Sequence, residues 1–145
     1  MKVFTIGFTK KPAREFFGKL RRPGLARLID VRLNNISQLA GFSKRDDLHF
    51  FCESILSIGY VHLPELAPTE AMLDEYKKKR GEWSAYEAKF LALMAERKVE
   101  DSVAREVIDG GCLLCSEPTP ENCHRRLVAE YLQRKWGGME IEHVL

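Results

Sequence analysis

The chain has 145 residues, 45% of them hydrophobic and 30% charged, with a formal net charge of +2. That length fits one compact domain with a real core, and no apolar run approaches the ~20 residues needed to cross a bilayer. The opening MKVFTIGFTKKP lacks the apolar stretch of about 7–15 residues of a signal peptide. A cytoplasmic setting with reduced cysteines is therefore expected. The charge is unevenly spread: residues 1–45 carry eleven Lys/Arg against two Asp/Glu, and residues 46–109 carry eight against fourteen. A basic N-terminal third can attract phosphate-bearing partners, nucleic acid included. The alternative is a solvated surface whose charges disperse on folding.

Lys2–Gly7, KVFTIG, reads as a buried strand of β-branched and aromatic residues closed by glycine. Pro12–Leu20 reads as a helix with proline in its first turn and Phe16, Phe17 and Leu20 turned inward. Arg27–Arg32, RLIDVR, is a second short strand, and the loop LNNISQLAGFS follows it. KRDDLHFFCESILSIG reads as a helix capped by Ser43, apolar along Leu48, Phe51, Cys52, Ile55 and Leu56, and stopped by Gly59. Tyr60–Pro64 is a third strand. Thr69 to about Asp109 is helical, with a break at Gly81 and three helices expected in all. Cys112–Cys115, CLLC, is a fourth strand. Thr119 as N-cap and Pro120 at the first helical position open a helix to about Trp136, and Glu140–Leu145 is a last strand.

Strands alternating with helices predict one α/β domain over residues 1–145. It has three layers: a mostly parallel, Rossmann-like sheet of about five strands with helices on both faces. In such sheets ligands bind beyond the carboxyl ends of the strands. Here those exits carry Gly7–Thr9, Asp30 and Arg32, Pro64 and Glu65, and Cys115–Glu117.

Gly110–Leu132, GGCLLCSEPTPENCHRRLVAEYL, holds three of the four cysteines. Cys112, Cys115, Cys123 and His124 are enough ligands for a zinc site, but their spacing argues against one. Residues three apart on a strand point to opposite faces, and adjacent residues on a helix diverge by about 100°. No metal is expected. Neither G-x-G-x-x-G nor a P-loop occurs, so no cofactor is expected either.

As a reactive thiol, Cys123 would sit in the first turn of its helix, where the dipole and His124, Arg125 and Arg126 favour a thiolate. Cys115 would be its partner. The competing reading is a buried stripe of Cys123, Leu127 and Tyr131. As an anion cradle, the same helix start would work with Arg32 and Arg125 on phosphate or carboxylate, with Asp30 on a ribose hydroxyl. The competing reading of Asp30 and Arg32 is a structural ion pair. His62 reads as a satisfied core residue, Lys77–Arg80 as a solvated helix face, and Trp83 and Tyr86 as core packing.

TIGF at the start, LIDVR after the first helix, AGFSK, YVHLPEL and LLCSEPTPENCHRRLVAEYL together resemble the domain of unknown function 488 family over nearly the whole chain. The resemblance implies a small α/β domain with a polar pocket near the strand ends. It carries over Gly7, Asp30, Arg32, Phe42, Ser43, Cys115, Glu117, Cys123, His124 and Arg125. Members often begin TIGHS or TIGY where this chain has Phe8-Thr9, so a histidine role does not apply there and Thr9 keeps the hydroxyl. Cys112 lies outside the motif. Cys115 and Glu117, two apart on a strand, would face Cys123, His124 and Arg125, and Asp30 and Arg32 would line the other half of the pocket.

The leading expectation is a site for a small phosphorylated or nucleotide-like ligand. Arg32 and Arg125, with Gly7, Thr9 and Ser43, would hold it. Asp30, Glu117 and His124 would orient it or act as acid and base, and Cys123 and Cys115 would be nucleophile or redox partner. Transferase or hydrolase chemistry is favoured over oxidoreductase chemistry. The alternatives are a nucleic-acid-binding module using Lys10–Arg27, and a structural or interaction domain with buried cysteines. No membrane partner is expected, and the sequence does not determine the oligomeric state.

Overall fold

All five predicted strand segments form. They are β1 (Lys2–Gly7), β2 (Arg27–Asp30), β3 (Gly59–His62), β4 (Gly111–Cys115) and β5 (Glu140–His143). The computed structural model describes residues 1–36 and 41–145; residues 37–40 of the predicted loop, with the first residue of AGFSK, lie outside them. The strands pair in the order β3-β2-β4-β1-β5, and every pairing is parallel. In register, Gly7 stands beside Cys115, and Asp30 is flanked by Leu114 and His62.

The helices are α1 (Ala13–Lys19), α2 (Arg45–Phe51), α3 (Glu70–Leu73), α4 (Trp83–Arg97), α5 (Val99–Ser102), α6 (Arg105–Ile108) and α7 (His124–Trp136). A wider turn extends α2 over Cys52–Leu56, and another extends α3 over Asp74–Lys78. Alternation along the strands separates two cores. Phe4, Ile6, Leu28, Cys112 and Leu114 pack on α1 and α2 through Phe16, Phe17, Leu20, Leu48 and Cys52. Val3, Ile29, Val31 and Leu113 pack on α4 and α7 through Phe90, Met94, Leu127, Val128 and Leu132. Phe16, Phe90 and Met94 are wholly buried, each contributing about 1.5–3 kcal/mol from area removed from water.

This topology places the site. Parallel crossovers are right-handed, so the direction of travel along the sheet decides which face the connecting helix covers. The steps from β1 to β2 and from β2 to β3 run one way and put α1 and α2 on one face. The steps from β3 to β4 and from β4 to β5 run back and put α4 and α7 on the other. β4 lies between β1 and β2, with its helix on the opposite face from theirs. Chains therefore diverge on both sides of its carboxyl end, and such divergence opens a crevice.

Three helix boundaries differ from the sequence reading, and the single helix expected after α4 is split into α5 and α6 at Val103 and Ala104. Ser43 does not cap α2; it is buried at the end of a 3-10 turn, Gly41–Ser43, and Lys44 takes the N-cap position with no side-chain cap. The stop after α2 is Ser57 in the left-handed region (φ 55°), while Gly59 begins β3. Thr119 and Pro120 do not open α7, which starts at His124 with Cys123 as its N-cap. The eight residues between β4 and α7 form an irregular loop instead, held through its own carbonyls. Thr9 N–H donates to the Ser116 oxygen, the Arg125 guanidinium to Glu117, Lys11 to Pro118, and Arg126 to Glu121.

Candidate functional site

The crevice beside β4 is a cavity of about 250 Å³. Its lining joins Cys115, Cys123 and His124 to Arg32, Lys77 and Glu117, with the aromatic rings of Tyr76, Trp83 and Tyr86. Three elements meet here: the end of β4 supplies Cys115, the start of α7 supplies Cys123 and His124, and the segment after β2 supplies Arg32.

Cys115 Sγ lies 3.4 Å from His124 Nδ1, and His124 Nε2 donates to the Val31 carbonyl at 2.7 Å. A carbonyl can only accept, so Nε2 carries a proton, and Nδ1 is the ring atom that faces the sulfur. Burial alone would raise the Cys115 thiol. The hydrogen bond from Cys123, the Arg125 charge and the backbone N–H groups of Glu117 and Ser116 outweigh it and hold Cys115 below the ordinary thiol value. Cys123 goes the other way. Burial, its hydrogen bond to Cys115 and the Cys115 charge push it well up. The pair is thus polarised opposite to the sequence expectation, which made Cys123 the thiolate. The helix start is shifted: Cys123 is the N-cap, with extended backbone (φ −138°, ψ 139°), not a first-turn residue, and its side chain makes no cap hydrogen bond.

The same shift corrects the argument against a metal. Adjacent residues diverge by about 100° only when both are helical. With Cys123 extended and His124 helical, both side chains turn toward Cys115, and the ligand atoms of all three lie within 4.8 Å of one another. Cys112 stays out, buried on the opposite face of β4 as the alternation required.

Arg32 is fixed from below. Its Nε and Nη2 donate to the two Asp30 oxygens at 2.8 and 2.7 Å, and its backbone N–H adds a third bond to the same carboxylate at 3.2 Å. Tyr60 Oη donates to Asp30 at 2.5 Å and Asn35 Nδ2 at 3.3 Å. Burial tends to raise the Asp30 carboxyl, but Arg32 and the Tyr60 hydroxyl outweigh it and hold the group below the usual carboxylate value. The Arg32 guanidinium also stacks 5.3 Å from the Phe8 ring centre. Its Nη1 is buried with no partner among the described residues.

Five of the expected site residues therefore line the cavity: Arg32, Cys115, Glu117, Cys123 and His124. Five do not. Asp30 is wholly buried beneath Arg32 with both oxygens engaged, so it positions the arginine rather than meeting a ligand. Arg125 is wholly buried and holds the Glu117 carbonyl at 2.7 Å, which makes it a brace for the loop and a source of positive charge at Cys115. Gly7 admits that brace: a Cβ there would lie 1.6 Å from the Glu117 oxygen and 2.9 Å from Arg125 Nη1. Thr9 contributes its backbone N–H to Ser116, and Ser43 is buried outside the cavity.

Sequence reasoning missed the far wall. Lys77, read as part of a solvated face, bonds Glu117 at 2.5 Å. Trp83 and Tyr86 pack as read, Tyr86 in the core with Trp83 stacked on it at 5.2 Å, and what the reading lacked is that both also border the cavity together with Tyr76. The clue was Tyr76, Trp83 and Tyr86 clustered around the Gly81 break. His62 is satisfied, as expected, by the Arg32 carbonyl at 2.9 Å. In the basic N-terminal stretch, Arg21 holds the Ile55 carbonyl, Arg22 pairs with Glu142, and Arg27 holds the Val107 and Asp109 carbonyls. No helix among the described residues is long and apolar enough to cross a membrane.

Residues 12–132 match the family described as Domain of unknown function DUF488. The chain belongs to that family. The matched span includes Asp30, Arg32, the aromatic wall and the whole β4–α7 loop, so the DUF488 region contains every cavity-lining residue named above; Gly7 precedes it. Comparison with curated proteins and with solved structures finds no match.

Proposed function

We propose that the cavity beside β4 is a small-molecule site for a ligand that joins a planar ring to an anionic group, of the nucleotide-like or phosphorylated class. The observation that carries this reading is Arg32. Two of its nitrogens are locked on Asp30, and the remaining Nη1 is buried without a partner among the described residues, on a guanidinium that lines the cavity. A buried donor left unsatisfied costs about 1–3 kcal/mol or more, and an anionic oxygen removes that cost. Lys77 and Lys78 line the same cavity but pair with Glu117 and Asp74, which line it too, so the attraction for an anion rests on Arg32. Tyr76 and Trp83, half-buried at the cavity edge and backed by the buried Tyr86 ring, are the aromatic groups on which a planar ring would stack. Cys115, Cys123 and His124 are the chemically reactive groups within reach, and they suit group transfer or hydrolysis. The nucleic-acid reading draws less support, because Arg21, Arg22 and Arg27 of the basic stretch hold partners within the fold.

Native mass spectrometry and thermal-shift titration with nucleoside monophosphates and with inorganic phosphate test the reading. A nucleotide should raise the unfolding temperature more than phosphate alone. Trp83→Ala should weaken the nucleotide at least about fivefold, in line with about 1–3 kcal/mol for a base on an aromatic ring. Arg32→Lys, which keeps a charge over Asp30 but loses the fork, should weaken both anions. Failure of every such anion to bind the wild-type chain, or indifference to both substitutions, overturns the reading.

A further inference from the structure

We propose that Cys115, Cys123 and His124 form a three-ligand site for a zinc-class divalent cation, with the fourth coordination position open to the cavity. Nothing in the family match assigns a metal. The inference does not depend on which ligand the cavity takes.

The geometry carries it in four steps. First, two sulfurs and an imidazole nitrogen lie within 4.8 Å of one another, and that donor set selects zinc and its neighbours over magnesium or calcium. Second, the measured edge fits. Zinc–sulfur and zinc–nitrogen bonds of about 2.3 and 2.0–2.1 Å at a tetrahedral angle separate the two donors by about 3.5 Å, and Cys115 Sγ lies 3.4 Å from His124 Nδ1. Third, the outer shell is already in place. A metal-binding histidine usually donates its other N–H to a carbonyl or carboxylate, which fixes its tautomer and aims its lone pair. His124 does this to the Val31 carbonyl at 2.7 Å. Fourth, no fourth Cys, His, Asp or Glu joins the cluster among the described residues. A structural zinc site closes with four protein ligands, whereas a three-ligand site keeps a position for water or substrate. All three ligands line the cavity, so the open position faces the space where a small molecule would sit.

The test uses the full chain, reduced and stripped with a chelator, then titrated with cobalt(II) and zinc(II). Cobalt should give thiolate-to-metal charge transfer and tetrahedral d–d bands, saturating at one ion per chain, and zinc should displace it. Native mass spectrometry should show one retained zinc. Cys115→Ser, Cys123→Ser and His124→Ala should each lower affinity by more than the about 10–100-fold typical of an outer-shell change, with circular dichroism confirming the fold. Octahedral cobalt spectra, loss of zinc from the folded wild-type chain on gel filtration, or full binding by Cys123→Ser would overturn the proposal. So would a Cys115–Cys123 disulfide that persists under reductant. The wild-type spectra decide the matter even if a variant fails to fold. Arg32→Lys should bind cobalt normally while losing anions, so failure of the metal site and failure of the anion reading appear in different measurements.

Discussion

Cys112 and Cys115 stand at the two ends of β4 and face opposite layers of the molecule. On the α1/α2 side, Cys112 is packed with Phe4, Leu28, Leu114 and Cys52. Burial pushes both thiols up there, Cys52 to about 12, and they behave as small hydrophobes. On the α4/α7 side, Cys115 is as deeply covered, yet it meets Cys123, His124, the Arg125 charge and two backbone N–H groups. Its proton is held less tightly than in water. Residue type, strand and degree of burial are alike, so none of them accounts for the difference between the two thiols. What differs is whether the groups around the sulfur stabilise its charged form.

Asp30 is the sharpest exception to an apolar α1/α2 layer, and it gives the largest predicted effect. Asp30→Asn leaves Arg32 buried without its counter-charge, and should cost about 3–5 kcal/mol. The pH dependence has a definite sign. The folded carboxyl titrates below its unfolded value of about 3.9, so its contribution is complete above that value. It is lost as pH falls through 3.9 and on through the folded value. Urea unfolding of the wild type between pH 7 and pH 2 should show this loss, and the Asn variant should lack that share of it.

Gly7→Ala tests the other layer, where Gly7 pairs with Cys115. The added methyl would overlap the Glu117 carbonyl. Moving the loop should cost about 1–3 kcal/mol or more and should also remove cobalt binding. Retained stability together with retained metal would mean that the Arg125 brace does not hold the site.

The smallest effect separates the two cysteines directly. Cys112→Ser buries a hydroxyl among apolar side chains and should cost about 1–3 kcal/mol. Cys115→Ser places its hydroxyl beside His124 Nδ1 and two N–H donors, and should cost less than about 1 kcal/mol. Equal losses in chemical denaturation would erase the distinction between the layers.

Much of this was legible in the sequence because it is local. The β-branched and aromatic runs closed by glycine or proline mark the strands, and alternation on β4 places Cys112 and Cys115 on opposite faces. The spacing of Asp30 and Arg32 allows the ion pair that forms. The start of α7 was not legible. Thr119-Pro120 is a strong local helix opening, but Arg125, Lys11 and Arg126 hold the loop carbonyls from outside the segment. Those partners hold an irregular loop that turns at Pro120–Cys123 before the helix begins. That one displacement lets Cys123 and His124 both turn toward Cys115, while burial and the Cys123–Cys115 hydrogen bond set the polarity of the thiols. The aromatic side of the cavity was hidden for a similar reason: Trp83 and Tyr86 border the same space as Cys115 across a separation that periodicity does not encode.

The position of β4 has a consequence for how the protein is made. β1 and β2 emerge from synthesis early, but no hydrogen bonds join them; β4 fills the gap between them. Until residues 111–115 arrive, both strands present open edges on that side, and open edges invite pairing with other chains. Parallel contacts over such long sequence separations also form slowly. The strand that closes the gap is the one that carries Cys115, so the same step that covers the open edges of β1 and β2 sets the first member of the cysteine cluster in place.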